Sequence, residues 1–93
     1  MIVGLLTLEL HLTEADSLKA KRFILRSFKD RVRNKFNVSI AEVDGNDLWQ
    51  RSVIGVACVA NETKIIQQTL SSIRDMALSI PSVEMINSKI ELL

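Results

Sequence analysis

Residues 2–12 read IVGLLTLELHL and alternate in character with a period of two. One set of alternate positions carries large aliphatic residues: Ile2, Leu6, Leu8, Leu10 and Leu12. The other set mixes apolar and polar side chains: Val3, Leu5, Thr7, Glu9 and His11. Successive side chains of a strand point to opposite faces. The alternation therefore predicts a strand over Ile2–Leu12 that buries one face in a core.

Two later segments have the spacing of amphipathic helices. Apolar residues recur on one side of a helix over 18–34, and Asp16 or Ser17 can accept the free amide hydrogens at its start. Asn61 is the predicted cap of a second helix, and Pro81 ends that helix. Its apolar residues follow one another at spacings of 4, 3, 4 and 3: Ile66, Leu70, Ile73, Ala77 and Ile80.

Strand character returns at 36–43, 50–60 and 83–92, with a turn at the Asp-Gly-Asn-Asp of 44–47. The order of elements is thus βαββαβ. Right-handed crossovers place both helices on the same face of the sheet. This order predicts a single ferredoxin-like α+β domain over residues 1–93, a sandwich of a four-stranded antiparallel sheet with two helices on one face.

Such a sandwich leaves one face of the sheet open. Val3 and Leu5 of the first strand would lie on it, and the third strand would add one of two sets of residues. These are Val53, Ala57 and Val59, or Ile54, Val56 and Cys58. Soluble monomers seldom expose a contiguous apolar patch. Either register therefore predicts a homodimer or another partner on this face, the alternative being an unusually apolar exposed sheet.

Composition excludes several classes of protein. The chain has 93 residues, of which 47% are hydrophobic and 25% charged, a globular profile. A lone cysteine, Cys58, excludes an internal disulfide and a cysteine-based zinc site, and it suits a reducing cytosol. The longest apolar run, 53–60, is too short to cross a membrane, and the start lacks the basic region of a signal peptide. We therefore expect a cytoplasmic protein with no membrane partner.

The net charge of +1 hides a strong asymmetry. Eight of the twelve basic residues, but only one of the eleven acidic ones, lie between residues 17 and 35. This segment carries +7 and the remainder −6. Such a distribution steers a polyanion towards one side of the molecule.

Five of these cations fall on one side of the first predicted helix, at spacings of 3, 4, 3 and 4, and form the basic ridge: Lys19, Arg22, Arg26, Lys29 and Arg33. At 1.5 Å per residue the ridge is about 20 Å long. Arginine and lysine in such a row match a phosphate backbone. The alternative is that carboxylates of the acidic remainder, or of a second subunit, pair with the ridge.

Two aromatic residues are candidate contacts with a partner. Phe23 falls beside the basic ridge and away from the core, where it can stack on a base or pack against a protein. The alternative is an isolated exposed apolar residue, which is common on protein surfaces. Trp49, at the mouth of the predicted hairpin, is interpreted as packing against the core edge or as an interface anchor.

No catalytic residue, metal ligand or cofactor is predicted. Glu9 and His11 would lie close together on the open face and could act as an acid–base couple, but with no nucleophile or second ligand beside them His11 is interpreted as a surface histidine. Glu42, Asp44 and Asp47 miss the spacing of a calcium loop and suit a turn instead. Cys58 is interpreted as a buried apolar residue.

Several motifs resemble the YlxP-like family of small bacterial proteins of unassigned function: SLKAKR at 17–22, RNKFNVSIAEV at 33–43, DLWQ at 47–50 and IGVA at 54–57. The resemblance implies a ferredoxin-like fold and a cytoplasmic role near the ribosome, because genes of this family often neighbour those of translation initiation and ribosome maturation factors. Ala20 departs from the glutamate that the family often has there, which removes a reciprocal capping box with Ser17.

Together these patterns predict a non-enzymatic binding module for RNA or a ribosomal subunit that acts through the basic ridge. The alternative is a protein–protein adaptor or regulatory subunit that uses the open sheet face and Trp49. RNA-recognition domains of the same topology stack bases on aromatic residues of their central strands. The predicted open positions of these strands have none, so RNA contact is assigned to the helix.

Overall fold

The computed structural model describes residues 1–93 and has the predicted order of elements. Its elements are β1 (Ile2–Leu12), α1 (Leu18–Lys35), β2 (Ser39–Asp44), β3 (Arg51–Ala60), α2 (Thr63–Leu78) and β4 (Val83–Leu92). All neighbouring strands are antiparallel, in the order β2-β3-β1-β4. The ferredoxin-like prediction is confirmed.

The core lies between the sheet and the two helices. The aliphatic face of β1 supplies Leu6, Leu8, Leu10 and Leu12, each at most 1% exposed. Both helices bury one stripe against this face: Leu25, Phe28 and Val32 from α1, and Ile66, Leu70, Ile73 and Ala77 from α2. The alternation of β1 and the helical spacing of α2 therefore identify the core correctly.

Neither helix combines the length and apolar character needed to span a bilayer.

The register of β3 selects between the two predicted sets of open-face residues. Ile54, Val56 and Cys58 are buried beneath the helices. The intervening side chains of Val53, Ala57 and Val59 lie on the opposite side, and Ala57 and Val59 pair with Leu5 and Val3 of β1. Of the two predicted sets, the open face therefore carries Val53, Ala57 and Val59.

The structure confirms the predicted start of α1 and shifts two other predicted boundaries. Ser17 is the cap of α1, since its Oγ accepts a hydrogen bond from the Ala20 amide at 3.0 Å. The prediction that β2 starts at residue 36 is wrong, because Phe36 ends α1 and its amide donates to the Val32 carbonyl at 2.8 Å. Asn61 as the cap of α2 is also wrong: the cap position is Glu62, whose side chain makes no capping hydrogen bond.

Gly4 permits close packing of α2 on β1. A Cβ atom at this position would overlap Ile66 Cγ2 and lie 3.1 Å from Leu70 Cδ1, two fully buried side chains. We expect Gly4→Ala to lower the free energy of unfolding by about 1–3 kcal/mol through overpacking, as measured by urea denaturation. Gly55→Ala is the control, because its Cβ would meet only Val43, which is 60% exposed and free to move. Equal stabilities of the two variants would contradict the prediction.

Candidate functional site

The basic ridge runs along α1 beside the stripe that faces the core. Lys19, Arg22, Arg26 and Arg33 are exposed, and Lys29 is half-buried. The helix places them together because spacings of three and four residues keep side chains on one surface. The structure thus brings all five predicted cations onto a single side of the molecule.

Four of the five ridge cations have no carboxylate partner. Lys19, Arg22, Arg26 and Lys29 form no ion pair within 4 Å, whereas Arg33 Nη1 lies 3.7 Å from Asp30 Oδ1. Arg33 Nη2 also donates to the Ile40 carbonyl at 3.1 Å. The cation at the C-terminal end of the ridge is therefore partly engaged by its own chain, and the free part of the ridge spans Lys19–Lys29.

Two shallow depressions border this free part. One, of about 460 Å³, is lined by Lys19, Arg22, Phe23 and Arg26. The other, of about 400 Å³, lies between α1 and the β2–β3 hairpin, with Arg22, Arg26 and Lys29 on the helix side and Asn46 among the residues opposite. Arginine donates two parallel hydrogen bonds to a phosphate and lysine adds a point charge. The first depression, which no carboxylate lines, therefore has the chemistry of an anion site, whereas the second contains Glu42 beside its three cations.

Lys21 has a different environment from the other cations of α1. Its side chain is 1% exposed, and Nζ lies 2.8 Å from Glu42 Oε2 in a buried ion pair. Nζ also donates to the carbonyls of Gly45 at 2.5 Å and Leu48 at 2.7 Å. An ammonium has three N–H donors, and these three acceptors use all of them.

The same network completes the environment of Glu42. Ser52, fully buried, donates its hydroxyl to Glu42 Oε2 at 2.6 Å. No buried side-chain nitrogen or oxygen lacks a hydrogen-bond partner, as expected when a charge is taken out of water. Lys21 therefore fixes the hairpin loop to α1 and contributes no charge to the surface.

This role of Lys21 was not predicted from the sequence, where its charge is one of the eight of the cationic segment. The signal was present. Going back along α1 from Val32 and Phe28 through Leu25, the helical spacing of 4, 3 and 4 leads to Lys21 on the face that packs against the sheet. A single basic residue in register with an apolar stripe indicates a buried cation, which requires a partner from elsewhere in the chain.

The loop that Lys21 contacts contains the predicted turn. Gly45 has φ +76°, a left-handed conformation that glycine adopts without strain. Its amide donates to Asp44 Oδ1 at 2.8 Å, which is the local turn bond expected of aspartate. The turn interpretation of 44–47 is confirmed, and the Glu42 carboxylate contacts Lys21 and Ser52.

The structure contains no cluster of three or more histidine, cysteine or acidic residues able to hold a metal ion.

Glu9 and His11 do not pair with each other, and so do not form the acid–base couple that was set aside above. Glu9 Oε1 lies 3.2 Å from Arg51 Nη2, and His11 Nδ1 lies 3.5 Å from Glu84 Oε2. Each side chain finds a cross-strand neighbour, because β3 and β4 flank β1 on either side.

Cys58 is buried beneath the helices, 6% exposed, as predicted. Burial raises the pKa of its thiol by desolvating the thiolate. We expect a maleimide at pH 8 to label the native protein at least about 100-fold more slowly than the chain unfolded in guanidinium chloride, since labelling requires local opening. Rapid native labelling would contradict this burial.

The raised pKa of Cys58 also determines how the stability of the protein changes with pH. Because the folded state keeps the Cys58 thiol protonated to higher pH than the unfolded chain does, its contribution to stability is complete below the ordinary thiol pKa. That contribution is lost as the pH rises above this value. Comparing Cys58→Ser with wild type in urea between pH 7 and pH 10 measures it.

The open face of the sheet is apolar over β1, β3 and β2. Val3 and Leu5 are half-buried there, and Val59 is 59% exposed. A shallow depression of about 340 Å³ is lined by residues that include Leu5, Ala41, Val43 and Ala57. The exposed positions of β1 and β3 carry no aromatic side chain. This surface therefore suits packing against another apolar surface rather than base stacking.

The two predicted aromatic contacts are both exposed. Phe23 is 76% exposed beside the ridge, as predicted. Trp49 is 54% exposed in the β2–β3 loop and takes no part in the core, contrary to its interpretation as packing there. It does not line the depression on the open face either, so the structure does not join Trp49 to that surface.

Comparison with known proteins agrees with the motifs. The family model described as a protein of unknown function, DUF503, matches residues 3–90. The uncharacterized protein YlxP of Bacillus subtilis is 36% identical over 83 residues, which cover 89% of this chain and 90% of that protein. The chain therefore belongs to the DUF503 family, which includes YlxP-like proteins of unassigned function.

Proposed function

We propose that the protein is a non-enzymatic module that binds RNA through the basic ridge. One observation carries the proposal: Lys19, Arg22, Arg26 and Lys29 lie side by side on α1 with no carboxylate within ion-pair distance. Like charges at these spacings disfavour the helix by a few tenths of a kcal/mol per pair. An anionic partner relieves this repulsion. A surface that only interacts with solvent would gain nothing from a row of unpaired like charges.

Acidic groups of the chain do not take the place of that partner. Asp30 pairs only with Arg33, at the C-terminal end of the ridge. Glu42 lines the depression beside Arg22, Arg26 and Lys29, but its carboxylate is already paired with Lys21. Glu9 pairs with Arg51 on the open face, on the other side of the sheet from the helices. These pairings favour an anion from another molecule over neutralisation within the protomer.

RNA suits the ridge better than an acidic protein does. Arginine forks match phosphate oxygens, and a nucleic-acid backbone presents phosphates in a row, as the ridge presents cations. The gene neighbourhood that the family resemblance implies favours RNA of a ribosomal subunit or its precursor. We therefore propose a role in translation or ribosome maturation.

Salt dependence tests this proposal. Each phosphate contact contributes roughly 0.7–0.9 to the slope of log K against the logarithm of the salt concentration. Four contacts therefore predict that log K falls with a slope of about 3. Raising salt from 50 to 200 mM should weaken binding about 50- to 150-fold. The measurement is co-sedimentation with purified ribosomal subunits, and fluorescence anisotropy with fragments of ribosomal RNA. Absence of binding at 50 mM salt, or a slope near zero, would refute the proposal.

The open face supports a second proposal, that it is covered by a second copy of the chain or by another protein. The observation in its favour is the apolar patch of Val3, Leu5, Val43, Ala57 and Val59, which sequence analysis predicted in part. For a second copy, we expect light scattering to give twice the monomer mass of 10.5 kDa at any salt concentration. Leu5→Glu should restore the monomer, with Ile65→Glu on α2 as the control. A wild-type monomer at all concentrations would exclude self-association.

A further inference from the structure

Phe23 is the most exposed aromatic side chain of the protein. It projects from the middle of α1 with 76% of its surface exposed, and it belongs neither to the core nor to the residues packed against it. The other two phenylalanines differ: Phe28 is 1% exposed, and Phe36 packs against the core. An exposed phenylalanine contributes nothing to folding that an alanine would not, so its surroundings decide what it can bind.

Those surroundings are cationic on one side and mostly uncharged on the other. Lys19, Arg22 and Arg26 share the first depression with Phe23. On the opposite side, Phe23 lines a second depression of about 560 Å³ with Ala20, Ile24, Ser82 and the residues Glu14, Ser17 and Lys19. Phe23 thus stands between two recesses, with cations four residues before and three residues after it on the same helix surface.

We infer that this part of the ridge binds single-stranded RNA, with Phe23 stacking on an unpaired base while Lys19, Arg22 and Arg26 contact the adjacent phosphates. The inference rests on the proposed function and narrows it from RNA in general to unpaired segments. An aromatic ring offers a stacking surface to any base, and each such stack is worth about 1–3 kcal/mol.

A duplex cannot stack a base on Phe23. Bases of A-form RNA are already stacked on one another, and a protein reaches only their edges and the sugar-phosphate backbone. The ridge alone would bind duplex and single strand through phosphates, but Phe23 adds energy only when a base is free. The sheet does not supply a competing stacking site, because its open face has no aromatic residue on the two central strands.

The test compares three probes of equal length: an unstructured 10-nucleotide RNA, the same strand annealed to its complement, and an abasic strand with the same number of phosphates. Fluorescence anisotropy at 50 mM salt measures the affinity for each. We expect the wild type to bind the single strand at least about 5-fold more tightly than the abasic strand, which corresponds to one stacked base at about 1 kcal/mol.

Phe23→Ala should weaken single-strand binding about 5- to 100-fold and leave abasic and duplex binding unchanged. Phe23→Trp should retain binding and, in a Trp49→Phe background, should report stacking through quenching of its fluorescence. Ile65→Ala is the matched control, an exposed apolar residue of α2 that is remote from the ridge cations. The position is exposed on a helix, so alanine leaves the fold intact.

The outcomes separate the inference from the proposed function. If Phe23→Ala binds all three probes as the wild type does, or the wild type prefers the duplex, the inference fails while RNA binding by the ridge stands. If no probe binds at low salt, the proposed function itself fails. Unchanged RNA binding together with a loss of self-association would assign Phe23 to a protein contact and would also overturn the inference.

Discussion

Reversing the charge at Arg22 and Arg26 is expected to weaken binding to ribosomal RNA at least about 100-fold at 100 mM salt. Each substitution removes a charge-assisted contact worth roughly 1.5–3 kcal/mol and places a carboxylate beside a phosphate. The slope of log K against log salt should fall by about 2, because two fewer counterions are released. Anisotropy titrations of Arg22→Glu plus Arg26→Glu across a salt series measure both effects.

The fold should survive this double substitution. Both arginines are exposed, and neither forms an ion pair or a hydrogen bond with the rest of the chain. New carboxylates at positions 22 and 26 lie three residues from Lys19 and Lys29 and attract them, but they repel each other, and the one at position 26 repels Asp30, at spacings of four. These small effects oppose one another, so the urea midpoint should change little.

A control with the same change in net charge separates local contact from long-range steering. Lys64→Glu plus Lys89→Glu makes that change on α2 and β4, away from the ridge. We expect this control to lower affinity less than about 5-fold, because exposed charges beyond a Debye length are largely screened. If both double variants weaken binding equally, or the ridge variant binds as the wild type does, the ridge is not the contact surface.

Lys21→Met is expected to lower the free energy of unfolding by about 3–5 kcal/mol, the loss typical when one partner of a buried ion pair is removed. The substitution leaves the largely buried Glu42 carboxylate without its cation and removes the donor from the carbonyls of Gly45 and Leu48. For a domain of this size, a loss of 3–5 kcal/mol lowers the melting temperature by about 12–40 °C. Urea denaturation followed by circular dichroism measures it.

Two further variants test the mechanism of this loss. Lys19→Met removes a neighbouring exposed lysine and should change stability by less than about 0.5 kcal/mol. Combining Lys21→Met with Glu42→Leu should recover part of the loss, because no buried charge is then left unpaired. A Lys21→Met variant within 1 kcal/mol of wild type would show that the buried ion pair does not hold the hairpin to the helix.

Strands and helices of this chain are predictable where their side chains repeat. The alternation in β1 and the final strand β4 gave correct bounds, and the spacing from Ile66 to Ala77 identified the buried stripe of α2. Boundaries without such a repeat were less predictable. Phe36 looks like the start of a strand in the sequence, but its amide closes the last turn of α1.

The candidate site likewise has one part that the sequence predicts and one part that it does not. The ridge was predictable because one helix alone determines which cations lie together. The environment of Lys21 was not, since its acceptors lie 21 to 27 residues away in another element. Glu9 and His11 illustrate the same limit: their partners, Arg51 and Glu84, belong to strands whose register only the folded sheet establishes.

Bonding of Lys21 to the backbone of the β2–β3 loop also affects how fast a ligand can bind. Gly45 and Leu48 are held to α1 by their carbonyls, so Asn46 between them keeps its place opposite Arg22 and Lys29 before any ligand arrives. A preorganised groove spares the loop-ordering entropy that a flexible one would lose on association. Encounter with a polyanion should therefore be limited by diffusion and electrostatic attraction, not by a slow conformational step.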